Sequence, residues 1–317
     1  MRSHPTTLSP RGSNPVRAHA APLRDRLRTR LYALRFSAEV WAAGRRKDVA
    51  PRYPDFLGIG TPRSATTWLH LRLAAHPGVF LPARKELHFF NEPRPHTPCR
   101  FSGATWTRPL YFDLENPAHW RWYAAQFAGA GERRCGEITP DYATLSRERV
   151  GEVLRHLPEV KVILNIRNPI ARAWSGLRYS WRRHIGRYTD RQLGERLREE
   201  LTDALIAAAL HPERLLRGDY PRTIGNWEAH VPPERLLYLF YDDIARDPGA
   251  ELRRVADFLE LDPAGLPPSA ADTSPVNDAP ATDMPDAVKE RLVAYYAPHI
   301  RWLEAHFGRD LSAWLEL

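Results

Sequence analysis

Phe56-Leu-Gly-Ile-Gly-Thr-Pro-Arg-Ser-Ala-Thr-Thr67 reads as a strand that turns abruptly into a helix. Phe56, Leu57 and Ile59 make a short apolar run of buried-strand length. Gly60, Thr61 and Pro62 break it. From Ala65 onward Leu69, Leu73 and His76 share one helical face until Pro77-Gly78 ends the pattern. A loop so placed presents backbone N–H groups at a helix N-terminus, where no intrahelical acceptor exists and the helix dipole favours an anion. Arg63 adds a positive charge, and Ser64, Thr66 and Thr67 add hydroxyls. The stretch is a candidate cradle for a phosphate-like group. A Walker loop, G-x-x-x-x-G-K-[ST], fits it poorly. Counted from Gly60, the second glycine is Ala65, the lysine is Thr66, and only Thr67 matches. The plainer alternative is an ordinary strand-loop-helix with a solvated arginine.

The same alternation continues outward. Val160-Lys-Val-Ile-Leu-Asn-Ile166 is nearly continuously apolar, as a strand covered on both faces should be. Arg167-Asn-Pro169 stops it, and Ile170 to Arg183 reads as a helix with Pro169 near its first turn. Val79-Phe-Leu-Pro82 reads as a second short extended piece, Gly136-Glu-Ile-Thr-Pro-Asp-Tyr142 as a strand end running into a turn, and Arg235–Tyr241 as a third strand. Helices are expected at Pro117–Phe127, Arg147–Leu157, Arg191–Leu210, Glu251–Leu261 and Ala287–Phe307. Residues 91–115 read as a long irregular insertion and 262–286 as loop. Strands alternating with helices imply an α/β fold, a central parallel sheet flanked by helices in three layers. Ligands in such sheets bind beyond the carboxyl ends of the strands, which is where the segments after Gly60, Glu137 and Ile166 lie.

Composition narrows the function classes. Hydrophobic residues at 43% and charged ones at 26% give a globular chain with ample core material. The two cysteines, Cys99 and Cys135, make no disulfide framework. No apolar run reaches membrane-span length and no secretory signal is visible, so the expected location is cytoplasmic. The whole net charge of +8 sits in residues 1–50, while 51–317 carry 35 residues of each sign. That division sets a basic N-terminal arm, 1–50, apart from a domain at 51–317. The basic pI is therefore no argument for nucleic-acid binding. Residues 1–20 lack periodicity and are expected to be disordered. Residues 22–43 carry Leu23, Leu27, Leu31, Leu34 and Val40 on a basic amphipathic helix, which suits peripheral membrane contact or packing onto the domain. Oligomeric state cannot be read from the chain.

Two stretches together resemble a known family. Pro62-Arg-Ser-Ala-Thr-Thr-Trp68 is similar to the 5′-phosphosulfate loop, Pro-Lys-[Ser/Thr/Gly]-Gly-Thr-Thr, of sulfotransferases that use 3′-phosphoadenosine 5′-phosphosulfate (PAPS). Arg63 keeps the lysine's charge with different donor geometry. Ala65 in place of glycine implies that the loop avoids a positive φ there. About a hundred residues on, Arg167-Asn-Pro-Ile-Ala-Arg-Ala-Trp-Ser175 resembles the family's 3′-phosphate motif. Lys85-Glu-Leu-His-Phe-Phe90 looks like the K-E-x-x-[FY]-F segment of the heparan-sulfate-type and bacterial branch, whose glutamate is the proposed general base. Read as extended backbone, Glu86 and His88 point to the same side. Glu137-Ile-Thr-Pro-Asp-Tyr142 resembles an acceptor-site turn. Arg217-Gly-Asp-Tyr220 with Trp227 resembles a further family helix, although Tyr220 and Trp227 would equally suit a core face. The family's C-terminal Lys-Gly loop has no clear counterpart.

The resemblance implies a P-loop-like fold and sulfonate transfer from PAPS to an acceptor hydroxyl or amine, on a glycan, lipid or small metabolite, leaving adenosine 3′,5′-bisphosphate. It implies donor contacts from Arg63, Ser64, Ala65, Thr66, Thr67, Trp68, Arg167 and Ser175. Glu86 is the expected base, with His88 as reserve or orienting group, and Arg63 is expected to offset charge on the departing phosphate. No metal and no nucleic acid is expected. Two rival readings stay open. An ATP-dependent small-molecule kinase would need a lysine near position 66, and an adaptor working through the basic arm would leave Arg63, Arg167 and Glu86 without a shared purpose.

Overall fold

The computed structural model describes residues 38–43, 45, 51–92, 112–185, 202–267 and 283–316. The stretch 1–20, most of the helix expected at 22–43, most of the insertion at 91–115, the first part of the helix expected at 191–210, the centre of the 262–286 loop and Cys99 lie outside the described residues.

The expected parallel sheet is present. Its strands are β1 (Phe56–Gly60), β2 (Val79–Phe80), β3 (Arg134–Ile138), β4 (Lys161–Ile166) and β5 (Leu236–Phe240), in the spatial order β2-β3-β1-β4-β5. β1 lies in the middle, with Phe56 opposite Gly136 of β3 on one side and Lys161 of β4 on the other. Strand side chains alternate between two cores. Leu57, Ile59, Val162, Leu164 and Ile166 join one, and Phe56, Ile138, Ile163 and Leu239 join the other. Separate cores on the two sheet faces make the three layers.

The α-helices among the described elements are α1 (Thr66–Ala74), α2 (Pro117–Ala125), α3 (Arg147–His156), α4 (Pro169–Ile185), α5 (Thr202–Ala209), α6 (Pro212–Leu216), α7 (Tyr220–Glu228), α8 (Tyr241–Arg246), α9 (Pro248–Phe258) and α10 (Asp286–Phe307). Their starts carry the local chemistry that a helix needs. Ser146 accepts from Arg149 N–H before α3, and Asp247, ahead of Pro248, accepts from Ala250 N–H before α9. β1 ends at Gly60 for a steric reason. Its φ is 127°, and a Cβ there would lie 2.3 Å from the Pro140 carbonyl oxygen. The chain can therefore pass the turn after β3 closely and enter the loop at the carboxyl edge of the sheet.

Residues 38–43 are helical and rest against the domain. Ala43 is 8% exposed within the larger core, and Val40 packs on it. Glu39 pairs with Arg84 at 3.2 Å. Among the described residues no helix is long and apolar enough to cross a membrane.

Candidate active site

The loop after β1 is built on left-handed backbone. Arg63 has φ 72° and Ala65 φ 63°. The expectation that alanine keeps position 65 out of positive φ is therefore wrong. The chain must reverse from the strand into α1 within five residues, and left-handed residues at 63 and 65 turn successive N–H groups to one side as an anion-binding nest. Ala65 is the N-cap of α1 and offers no side-chain acceptor, so the first-turn N–H groups have no side-chain cap.

The side chains of the loop divide between support and site. Ser64 is fully buried, its hydroxyl 2.8 Å from that of Thr61, so it braces the loop from within. Thr66 is buried as well, and Trp68 lies in the core beneath α1 with its indole Nε1 unpartnered. Thr67 Oγ1 accepts from Lys85 Nζ at 2.8 Å, a contact that motif reading did not anticipate. Burial, and second the charge of Lys85, lower the nearby His70 imidazole to about 4, so His70 is neutral at physiological pH.

Arg167 and Ser175 come to the same place. Arg167 Nη1 donates to the Arg63 carbonyl at 2.8 Å, and its guanidinium lies 4.2 Å from the Tyr241 ring centroid. Ser175, 4% exposed on α4, accepts from Arg63 Nε at 3.1 Å. Tyr220 joins the two loops. Its hydroxyl accepts from Arg167 N–H at 2.9 Å, donates to the Arg167 carbonyl at 2.8 Å, and lies 3.2 Å from Thr61 Oγ1. Tyr220 is thus a core residue by burial and a site residue by its hydroxyl. Trp227 is core, with its indole N–H directed to the Tyr142 carbonyl at 3.4 Å.

Glu86 and His88 sit beside the loop, but not on extended backbone as expected. Both are left-handed, at φ 60° and 53°. They still meet, with His88 Nε2 3.6 Å from Glu86 Oε2, while His88 Nδ1 is 3.7 Å from Asp141 Oδ2 and Lys85 Nζ is 3.5 Å from Glu86 Oε1. Asp141 in turn accepts from Arg217 at 3.1 Å. The segment is held from below by Glu137, 2% exposed. Its carboxylate accepts from Tyr123 and Tyr142 hydroxyls at 2.8 Å, from Thr139 Oγ1 at 2.7 Å and from Leu87 N–H at 3.2 Å. Tyr142 Oη also accepts from Phe89 N–H at 2.8 Å, and Thr139 Oγ1 from His88 N–H at 3.3 Å. Burial raises the Glu137 carboxyl pKa, and the hydrogen bonds oppose that rise. Three consecutive amides of the segment that follows Glu86 therefore end on one buried network.

A sequence profile described as the sulfotransferase family matches residues 54–264. The chain belongs to the sulfotransferase family. The mouse heparan sulfate glucosamine 3-O-sulfotransferase 6 is 27% identical over 324 residues, covering 95% of this chain and 83% of that protein. The human bifunctional heparan sulfate N-deacetylase/N-sulfotransferase 2 is 25% identical over 235 residues, 71% of this chain but 24% of that longer protein. Among solved structures, a sulfotransferase from Alicyclobacillus acidocaldarius superposes with a TM-score of 0.59 at 28% identity, covering 83% of this chain and 99% of that one. The fold is that of a sulfotransferase, and the activity is sulfonate transfer. Among the described residues no group of three or more His, Cys, Asp or Glu side chains forms a metal site.

Proposed function

We propose that this sulfotransferase takes its sulfonate from PAPS and delivers it to a hydroxyl or amine of a glycan or small molecule. The observation that carries this reading is the junction of two anion-binding elements, the uncapped α1 N-terminus with its nest at 63–65 and the Arg167–Ser175 pair, tied through Arg63 and Tyr220. That donor set fits a nucleotide with phosphate groups at two separate positions. A terminal polyphosphate would want the lysine that Thr66 replaces. The relatives' names point to glucosamine units of heparan sulfate as their acceptors, and a hydroxyl-bearing glycan is the acceptor class we favour.

When bound, the donor supplies an activated sulfonyl group and a phosphate that leaves with the bonding electron pair. The residues of this chain have defined tasks around it. Backbone N–H groups of the loop and of the first turn of α1 hold the 5′ end, and Arg167 with Ser175 reads the 3′-phosphate. Glu86 takes the proton from the acceptor as its oxygen or nitrogen attacks in line. His88, between Glu86 and Asp141, orients that carboxylate.

Calorimetry with adenosine 3′,5′-bisphosphate and with AMP tests the donor reading. The bisphosphate is expected to bind about 10- to 100-fold more tightly, the worth of a charge-assisted contact, and Arg167→Ala is expected to abolish the preference. Equal affinity in the wild-type protein overturns it.

A further inference from the structure

We propose that Trp314, on the turn after α10, is a positioning residue for the 3′-phosphate seat: it holds Asn168, and through Asn168 it sets Arg167 and the start of α4. The inference rests on the donor reading above, in which Arg167 and Ser175 receive that phosphate.

Asn168 stands between Arg167 and Pro169, the first residue of α4, and is 4% exposed. Both ends of its amide are committed. Oδ1 accepts from the Ile170 N–H at 2.9 Å and from the Ala171 N–H at 3.4 Å, while Nδ2 donates to the Trp314 carbonyl at 2.9 Å. The first commitment caps α4. It also withdraws those two N–H groups from any ligand, so an anion at this end of α4 must be read by side chains. The second commitment ties the cap to a distant part of the chain. An aspartate would cap the helix equally well but has no N–H for the carbonyl.

Trp314 is held in its turn. It is 6% exposed, in a single 3₁₀ turn at Ser312–Leu315. Its indole Nε1 donates to Asp242 Oδ2 at 2.7 Å, and its ring lies 6.3 Å from that of Phe240 between centroids. Two contacts bring the turn to this place. Arg309 Nη2 donates to Asp243 Oδ1 at 2.8 Å, and the Leu311 N–H donates to Glu304 Oε1 at 2.9 Å.

The contacts close a ring around the seat. The Arg167 guanidinium lies over Tyr241, Asp242 follows Tyr241 and holds the Trp314 indole, the Trp314 carbonyl holds Asn168, and Asn168 follows Arg167. From the other side, the Tyr220 hydroxyl fixes the N–H and carbonyl of Arg167. None of the ring members except Arg167 has to touch the phosphate. Their effect is on what binding costs, because an arginine already confined by its neighbours loses less rotamer freedom when the anion arrives. Asp242 itself is exposed, so its carboxylate is removable with little consequence for the core.

The test titrates adenosine 3′,5′-bisphosphate, 3′-AMP and 5′-AMP calorimetrically into wild-type protein, Asp242→Ala, Asp242→Asn, Trp314→Phe and Asn168→Asp, with thermal melts to check folding. Asp242→Ala and Trp314→Phe each remove the same hydrogen bond. Each is expected to weaken the bisphosphate and 3′-AMP about 3- to 10-fold and to leave 5′-AMP near its wild-type affinity. The two combined are expected to weaken binding no further than either alone. Asp242→Asn keeps an oxygen for the indole and is expected to retain the wild-type affinities. Asn168→Asp sets two acceptors against each other and is expected to lose more than Asp242→Ala. The inference is overturned if Asp242→Asn behaves like Asp242→Ala, which would assign the effect to charge. It is overturned equally if 3′-AMP and 5′-AMP weaken together, the pattern of a merely loosened fold, or if 3′-AMP binding is unchanged in Asp242→Ala. Should Trp314→Phe or Asn168→Asp fail to fold, the two Asp242 variants decide alone. A wild-type preference for the bisphosphate over 5′-AMP preserves the donor reading whatever the variants show, and its absence removes both.

Discussion

Arg63, Ala65, Glu86 and His88 are four of the five described non-glycine residues with positive φ, so left-handed strain is concentrated at the site. For an L-residue this conformation costs roughly 1–2 kcal/mol. The Ala65 methyl is half-buried against the core on its face of the sheet, a contact smaller than the backbone cost. Ala65→Gly is therefore expected to stabilise the protein by about 0.5–1 kcal/mol, the relief being partly offset by the freer unfolded chain. A denaturant melt showing no gain or a loss would mean that the methyl packs usefully. At Glu86 the expected change is kinetic. Glu86→Gln keeps shape and loses the basic oxygen, so turnover is expected to fall about 10²- to 10⁴-fold with bisphosphate affinity unchanged. His88→Asn is the control, because a larger loss there would move the base role to the histidine. Near-normal turnover in Glu86→Gln, on an acceptor protonated at the assay pH, rules Glu86 out.

The segment 84–90 owes its shape to the strand beside β2, the end of β3 with the turn that follows. Glu137 receives four hydrogen bonds and fixes Leu87 directly, and through Thr139 and Tyr142 it fixes His88 and Phe89. In Glu137→Gln the amide nitrogen would face two of those donors. The expected outcome is a stability loss of about 1–3 kcal/mol and reduced turnover, with bisphosphate affinity preserved, since the network ends on Leu87, His88 and Phe89 and on neither Arg167 nor Ser175. A parallel fall in nucleotide affinity, measured by calorimetry, would contradict that separation. The element scale also shows what a sequence can disclose. β1, β4 and β5 were legible because an apolar run between breakers leaves little choice, and the two anion motifs because their residue types follow those strands. Glu137 was visible as part of a motif, but not as a buried hub. Its meaning depends on Tyr123, fourteen residues earlier, and on Leu87, fifty residues earlier. The Lys85–Thr67 contact and the left-handed Ala65 were hidden for the same reason, being set by how separate segments meet.

For the molecule as a whole, the boundary between arm and domain has energetic content. Residues 38–43 contribute Val40 and Ala43 to the core, and Glu39 holds Arg84, whose guanidinium lies over Trp122 one residue before Lys85. Trp41 on the same stretch is 60% exposed, with Arg45 over its ring. Deleting residues 1–46 is expected to cost about 1–2 kcal/mol of stability through lost apolar burial and to lower turnover through the loosened 84–90 segment. Deleting residues 1–36, which keeps those contacts, is expected to have the smaller effect on both. Thermal melts and turnover of the two truncations check this, and identical behaviour of both would show that the 38–43 contacts contribute nothing.

The Tyr220 hydroxyl has a consequence for selectivity among nucleotides. By touching Thr61 on one loop and Arg167 on the other, it would set, on the proposed donor reading, the span between the two proposed phosphate seats as a gauge of fixed length. A ligand whose two phosphates match that span binds as a chelate, because the second contact is made without further loss of translational freedom. ATP and ADP, however strongly charged, crowd their phosphates at one end of the ribose and would engage one jaw of that gauge. Discrimination against the far more abundant cellular nucleotides would then come from the distance between charges rather than from their number.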